Sequence, residues 1–135
     1  MVTTKQDYKD CLYIRRKVFV EEQNIHEDLE YDDKKVDAFY VIAIFNLLPI
    51  GTARYRQTKL GIKLERFAVL KEYRNSGVGK ALVSFLVKKL KKNNNLLYLN
   101  SQKEVVKFYS KLGFKIVGEE FYEANIPHFK MIYFQ

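Results

Sequence analysis

A chain of 135 residues, 47% apolar and 30% charged, has the length and balance of one globular domain, read here as residues 1–135. No apolar run approaches the ~20 residues of a membrane span, no apolar stretch of a secretory signal follows Met1, and the single cysteine, Cys11, excludes an internal disulfide and a cysteine-rich zinc site. No metal and no membrane partner are therefore expected, a reducing compartment such as the cytoplasm suits the chain, and the formal charge of +8 fits either an anionic partner or lysines that merely solvate a helix face.

In chain order, Thr4 is placed to cap a helix, with Asp7 near its positive end. Tyr8, Cys11, Leu12, Val18 and Phe19 fall at helical spacing and carry that helix to about Val20. Residues 24–35 are acidic and aperiodic, a loop or a short second helix. Residues 37–45 are aromatic and branched throughout, as in a strand covered on both faces. A turn at 46–49 leads into 50–58, the second arm of a hairpin, and Gly61 marks the turn into a third strand, 62–69.

The period then changes. Over 77–92, Val78, Ala81, Leu82, Phe85, Leu86 and Leu90 recur at 3.6-residue spacing with lysines opposite. Residues 96–99 read as a short central strand. Val105, Val106, Tyr109 and Leu112 mark a short helix stopped by Gly113. Residues 114–121 and 128–134 are the last strands, the second beginning after Pro127. This order is that of a mixed α/β sheet in which 62–69 and 96–99 form a parallel crossover around one helix.

The segment Arg74-Asn75-Ser76-Gly77-Val78-Gly79-Lys80 lies where a strand ends and a helix begins. Helix N-termini carry amides without internal partners and the positive end of the dipole, so they attract anions. Gly77 and Gly79 remove side chains from the approach to those amides, and Arg74 and Lys80 add positive charge. Glycines before a helix also serve as ordinary turn residues. The spacing is neither that of a Walker A loop nor, lacking a third glycine, that of the dinucleotide fingerprint.

Arg-x-x-Gly-x-Gly following Glu65-Arg66-Phe67-Ala68-Val69 resembles motif A of the GNAT superfamily of N-acetyltransferases. Phe108-Tyr109-Ser110-Lys111-Leu112-Gly113-Phe114 is similar to that family's "FYxKxGF" block. The stretch from Ile14 to Gln23 and the later Ile126-Pro127-His128 resemble small bacterial-type members, and the blocks occur in the family's order. The resemblance implies an α/β GNAT fold, a central mixed sheet splayed between two parallel strands with flanking helices. The family's first strand is shortened or absent here.

The resemblance also implies an acetyl-CoA-dependent transfer of an acetyl group to a primary amine, by direct attack in a ternary complex. Main-chain groups of Phe67, Ala68 and Val69 would hold the pantetheine and polarise the thioester, the amides from Arg74 to Lys80 would hold the pyrophosphate, and Asn100 and Phe108 would adjoin the cofactor. A preorganised amide aimed at a developing oxyanion lowers such a barrier by a few kcal/mol. Tyr109 matches the family's general acid, its alternative role being that of a core aromatic. Glu65 is the first candidate base, through a raised pKa or a bound water. It is equally placed for an ion pair with Arg54, Arg56 or Arg66. His128 is the second candidate base and an acceptor-site residue.

Arg54 and Arg56 share one strand face, and with Lys63 they suit an anionic acceptor. The local pattern around Glu65 and around 104–109 is similar to that of glucosamine-phosphate acetyltransferases, so an amino-sugar phosphate such as glucosamine 6-phosphate is the acceptor expected. Glu22 would instead favour a polyamine or a protein lysine, and a non-catalytic CoA-binding module is the remaining alternative. No nucleic-acid partner is expected, and a homodimer is.

Overall fold

The computed structural model describes residues 1–33 and 36–134. Helix α1 (Lys5–Arg15) starts as expected, the Thr4 hydroxyl accepting from the Asp7 amide at 3.0 Å. It does not run on as an α-helix to Val20: a π-helical segment, Arg16–Glu22, takes over, and Val18 and Phe19 join Ile14 and Ala68 in a small apolar cluster. A one-turn helix, α2 (Glu27–Glu30), lies in the acidic stretch, whose last two residues, Lys34 and Lys35, are outside the described residues.

Strands β1 (Phe39–Phe45), β2 (Leu48–Gln57), β3 (Ile62–Val69), β4 (Leu97–Gln102), β5 (Phe114–Ile116), β6 (Phe121–Glu123) and β7 (Ile126–Tyr133) build one seven-stranded sheet. Its order is β1-β2-β3-β4-β7-β5, with β6 added to β7. Only β3 and β4 pair in parallel, joined by helix α3 (Val78–Leu90), and the short helix α4 (Val106–Ser110) follows β4. The main core lies between the sheet and α3, with Leu64, Val83, Leu86, Leu97, Leu99, Phe114 and Met131 among its fully covered residues. No helix among the described residues is long and apolar enough to cross a membrane.

Several local expectations are corrected. β1 is an edge strand in which Val41 alone is buried, and on its outer edge the Val2 amide bonds to the Tyr40 carbonyl at 2.9 Å. On α3 the covered residues are Leu82, Val83, Leu86 and Val87, whereas Ala81 and Phe85 face out. Both stripes satisfy a 3.6-residue period, and contact with the sheet selects one. The expected strand 114–121 is divided near Gly118, whose φ of +83° breaks extended pairing. β7 begins at Ile126 rather than after Pro127, which pairs opposite Tyr122.

β3 carries a bulge. Thr52 pairs with Ala68 and Arg54 with Glu65, so Ala53 faces both Arg66 and Phe67, and Arg66 has φ of +57°. The inserted residue shifts the alternation by one, so that Leu64, Phe67 and Val69 pack into the main core while Glu65 and Ala68 lie on the α1 face.

That face holds a buried ionic network. Arg54, 1% exposed, donates to Asp32, Asp33 and Glu65. Arg15 holds Glu30 at 2.6 Å and Asp33 at 2.9 Å, and Arg66 lies 3.2 Å from Glu30. Tyr40 donates a short hydrogen bond to Asp33. Burial alone raises the Asp33 pKa, but hydrogen bonds from Arg15 and Tyr40 and the charges of Arg15 and Arg54 bring it down to about 2.

Removing Arg54 leaves buried carboxylates without their cation, so Arg54→Met is expected to lower stability by about 3–5 kcal/mol, read as a fall in the urea midpoint at unchanged m-value. A folded-state pKa below the unfolded one stabilises above the unfolded value. The contribution of Asp33 should therefore be intact at neutral pH and fade as pH falls from its ordinary 3.8 through about 2. Acid titration of wild type against Asp33→Asn checks this, since the variant should lose part of that acid-limb slope.

Candidate active site

β3 and β4 are in register only at Ile62–Leu97 and Lys63–Tyr98. Beyond Lys63 the strands part, β3 held by β2 and β4 by β7, and a cleft of about 960 Å³ opens between them. It is lined by Glu65, Phe67, Ala68 and Val69 on one side, by Leu99, Asn100 and Ser101 on the other, and by α4 through Phe108 and Tyr109. Arg74, Asn75, Gly77, Gly79 and Lys80 line one end, and Arg56, Lys63, Glu123 and His128 also border the space. Ser76, Val78 and Arg54 are not on the lining.

The loop end is built to receive an anion. Among the described residues, no protein acceptor takes a hydrogen bond from the amides of 75–80, and the Gly77 N-cap position of α3 has no side-chain cap. Gly77 has φ of +88° and open space where a Cβ would stand, so its requirement is conformational. Gly79 matters for another reason: a Cβ there would stand 3.3 Å from Cζ of Phe108, which packs against the first turn of α3 and would have to give by a few tenths of an ångström. The Ser76 hydroxyl donates within the loop, to the Tyr73 carbonyl.

Two expected charges are engaged elsewhere. Arg74 makes a bidentate pair with Glu22, at 2.5 and 2.6 Å, and its Nε donates to the Val69 carbonyl at 2.9 Å. Glu22, which also lines the cleft, therefore neutralises the loop arginine. The hydrogen bond from Arg74 holds the Glu22 carboxyl below its usual range. Lys80 is exposed, and among the described residues it has no ion-pair partner.

Tyr109 is 8% exposed, with its ring edge-on to Phe67, Phe108 and Phe114. Its hydroxyl has no hydrogen-bond partner among the described residues, and burial pushes the phenol well above its ordinary pKa. It is thus both a core aromatic and a protonated hydroxyl on the cleft wall. On β4, Asn100 has a buried Oδ1 with no partner among the described residues.

Glu65 lines the cleft, but the raised pKa expected of a base is not what its surroundings provide. Burial raises it, and the charges of Arg54, Lys63, Arg66 and Arg56 outweigh that and hold it below the ordinary carboxylate range. Its oxygens lie 3.0 Å from Arg56 and 3.2 Å from Lys63, besides the contact with Arg54. Arg54, expected to meet an acceptor, is sealed beneath this carboxylate. Arg56 and Lys63 keep partial access to the cleft.

His128 is 7% exposed and stacks on Phe121 at 5.8 Å. The Ile126 carbonyl lies 2.7 Å from Nδ1, and Glu123 Oε2 lies 3.7 Å from Nε2. Two features were not singled out from the sequence, although residues 121–128 are expected there to bear on acceptor choice. One is Glu123, brought to His128 by a hairpin whose turn residues, Ala124 and Asn125, both have positive φ. The other is a bridge at the cleft edge, where Gln102 Nε2 donates to Gln23 Oε1 at 2.9 Å. Asn125 was the only available signal for the first, and nothing local marks the second.

Residues 5–133 match the family described as Acetyltransferase (GNAT) domain. The chain is 35% identical over 130 residues to the "Uncharacterized N-acetyltransferase YjcF" of Bacillus subtilis (strain 168), covering 95% of this chain and 93% of the relative. Escherichia coli ElaA superimposes with a TM-score of 0.84 at 27% identity, over 96% of this chain and 92% of that one. An aminoglycoside 6'-N-acetyltransferase complexed with coenzyme A shares the fold, with a TM-score of 0.75 at 17% identity and coverage of 98% and 96%. With a splayed parallel pair and an uncapped loop of amides at its mouth, this chain belongs to the GNAT family and is an acetyl-CoA-dependent N-acetyltransferase.

Proposed function

We propose that the enzyme acetylates the primary amine of a small molecule by direct attack within a ternary complex, and that an amino-sugar phosphate such as glucosamine 6-phosphate is the acceptor. The observation that carries the transfer reading is the run of unpartnered amides at 75–80 beside a cleft bounded by unpaired β3 and β4 edges. Backbone donors at a helix N-terminus suit linked phosphates. The neutralised Arg74 and the free Lys80 leave the amides and one lysine as the anion-binding groups.

When bound, acetyl-CoA supplies the activated acetyl thioester. Phe67, Ala68 and Val69 lie along the β3 side, and Asn100 and Phe108 face them from β4 and α4. Tyr109, protonated and without a protein partner, is suited to give its proton to the departing sulfur. Desolvation makes that sulfur more basic by the same physics that raises the phenol. For the acceptor, Arg56 and Lys63 share one carboxylate, Glu65, leaving an excess positive charge on the cleft wall that suits a phosphate.

Calorimetry is expected to show acetyl-CoA binding, and a thiol-release assay is expected to show turnover with glucosamine 6-phosphate; absence of acetyl-CoA binding at millimolar ligand would sink the reading. Gly77→Ala places a Cβ in a left-handed conformation that is unfavourable by roughly 1–2 kcal/mol, so acetyl-CoA affinity should fall about tenfold in a folded protein. Tyr109→Phe should lower kcat by about 100-fold while acetyl-CoA affinity changes less than about twofold. Equal losses in both would instead assign Tyr109 to packing.

A further inference from the structure

We infer that His128 is the proton acceptor for the incoming ammonium group and that Glu123 binds that group beside it. This rests on the transfer reading above and identifies which wall of the cleft receives the amine. Both residues line the cleft, on β7 and β6.

The ring is held in one useful state. A carbonyl can only accept, so the Ile126 oxygen at 2.7 Å places the hydrogen of a neutral imidazole on Nδ1 and leaves the lone pair on Nε2. Stacking on Phe121 fixes the ring plane. His128 pairs opposite Gln102 in the β4–β7 ladder, beside the cleft edge where β4 has left β3. Nε2 and Glu123 Oε2 are 3.7 Å apart, too far for a hydrogen bond between them and close enough for one ammonium nitrogen to touch both. Asn100, on the neighbouring strand and the same sheet face as Gln102, offers a buried acceptor oxygen without a partner, suited to a further N–H of that group.

The alternative carboxylate is poorly placed for this work. Glu65 is held by Arg54, Arg56 and Lys63, and a proton delivered to it would break those contacts. A proton delivered to His128 Nε2 instead creates a cation beside Glu123.

The protons balance. An alkylammonium enters with three N–H bonds. His128 Nε2 takes one proton, and the freed lone pair forms the N–C bond as the C–S bond breaks. Tyr109 gives its proton to the sulfur, a second nitrogen proton restores the phenol, and the amide keeps the third. His128 then returns its proton to solvent, so each turnover yields an amide, a free thiol and one proton.

The chain has two histidines, so His26→Gln leaves His128 as the sole imidazole and permits an unambiguous nitrogen-15 NMR reading. The neutral ring is expected as the Nδ1–H tautomer; an Nε2–H tautomer overturns the proposal. With glucosamine 6-phosphate as probe, His128→Gln and His128→Asn are expected to lower kcat about 100-fold at neutral pH. That deficit should shrink as pH approaches the amine's own pKa, because more acceptor then arrives neutral. A deficit that stays constant with pH marks a structural role and overturns the assignment. Glu123→Gln should raise KM for the amine about fivefold and lower kcat as well, since it removes both the anion that holds the ammonium and the one beside the protonated ring; an unchanged KM overturns its binding role. Acetyl-CoA calorimetry on the same proteins keeps the two readings apart. Failure of the wild type to bind removes the transfer reading, whereas normal binding with a pH-independent deficit removes only the role of His128.

Discussion

A parallel strand pair that stayed in register would close its own backbone groups, and β3 and β4 do so only at Ile62–Leu97 and Lys63–Tyr98. Unpaired edges inside a sheet are unfavourable unless another donor or acceptor meets them. The outer edges are held firmly, by β2 and by β7, so the gap cannot close by letting either strand move freely. The bulge at Arg66 and Phe67 lies on the stretch of β3 that has left β4, and it returns Phe67 and Val69 to the core against Tyr109 and α3. Splaying of the strands and covering of Tyr109 by Phe67 therefore meet on one stretch of β3.

The bulge also explains the charges on the opposite face. With the alternation shifted by one, Glu65 comes to lie against Arg54 and Arg56, and the Arg66 side chain reaches Glu30. The paired guanidinium and carboxylate groups tie α1, α2, β2 and β3 into one block. Buried ion pairs of this kind are weak evidence for net stability, because desolvation opposes the Coulomb gain. Their clearer effect is positional. Glu65, Arg56 and Lys63 are presented to the cleft in fixed relation, and the β3 wall is rigid in charge as well as in shape.

Much of this was legible in the sequence because it rests on local chemistry. The glycine-bearing turn before an apolar-periodic helix, the apolar strand 96–99 and the Phe-Tyr helix ended by glycine each announce themselves within a few residues. What escaped depends on partners distant in the chain. Glu65 reads identically as a base or an ion-pair partner until Arg54, Arg56 and Lys63 are seen around it. Glu22 and Arg74, fifty-two positions apart, neutralise each other through a π-helical turn that no periodicity signals. The covered face of α3 differs from the expected one at Phe85 because two stripes satisfy the same period and only the sheet chooses between them. Residues 114–121 looked like one strand because a single exposed glycine, Gly118, gives little warning of a break.

The two walls of the acceptor end are built by different forces, and this bears on why the acceptor is hard to read from residues alone. On the β3 side, Arg54, Arg56 and Lys63 gather round the one carboxylate of Glu65 in fixed contacts, and Arg56 and Lys63 keep partial access to the cleft. On the β6–β7 side, Glu123 is half exposed and sits on a short hairpin with a two-residue turn. A hairpin of that size has little stability of its own and takes its position from the strand it borders. Substrate range would then be set mainly by the hairpin, through its length and the residue at 123, while the rigid wall sets the charge that any acceptor must complement. On the proposed reading, changing Glu123 would alter what is held, whereas changing Arg54 would disturb the wall itself.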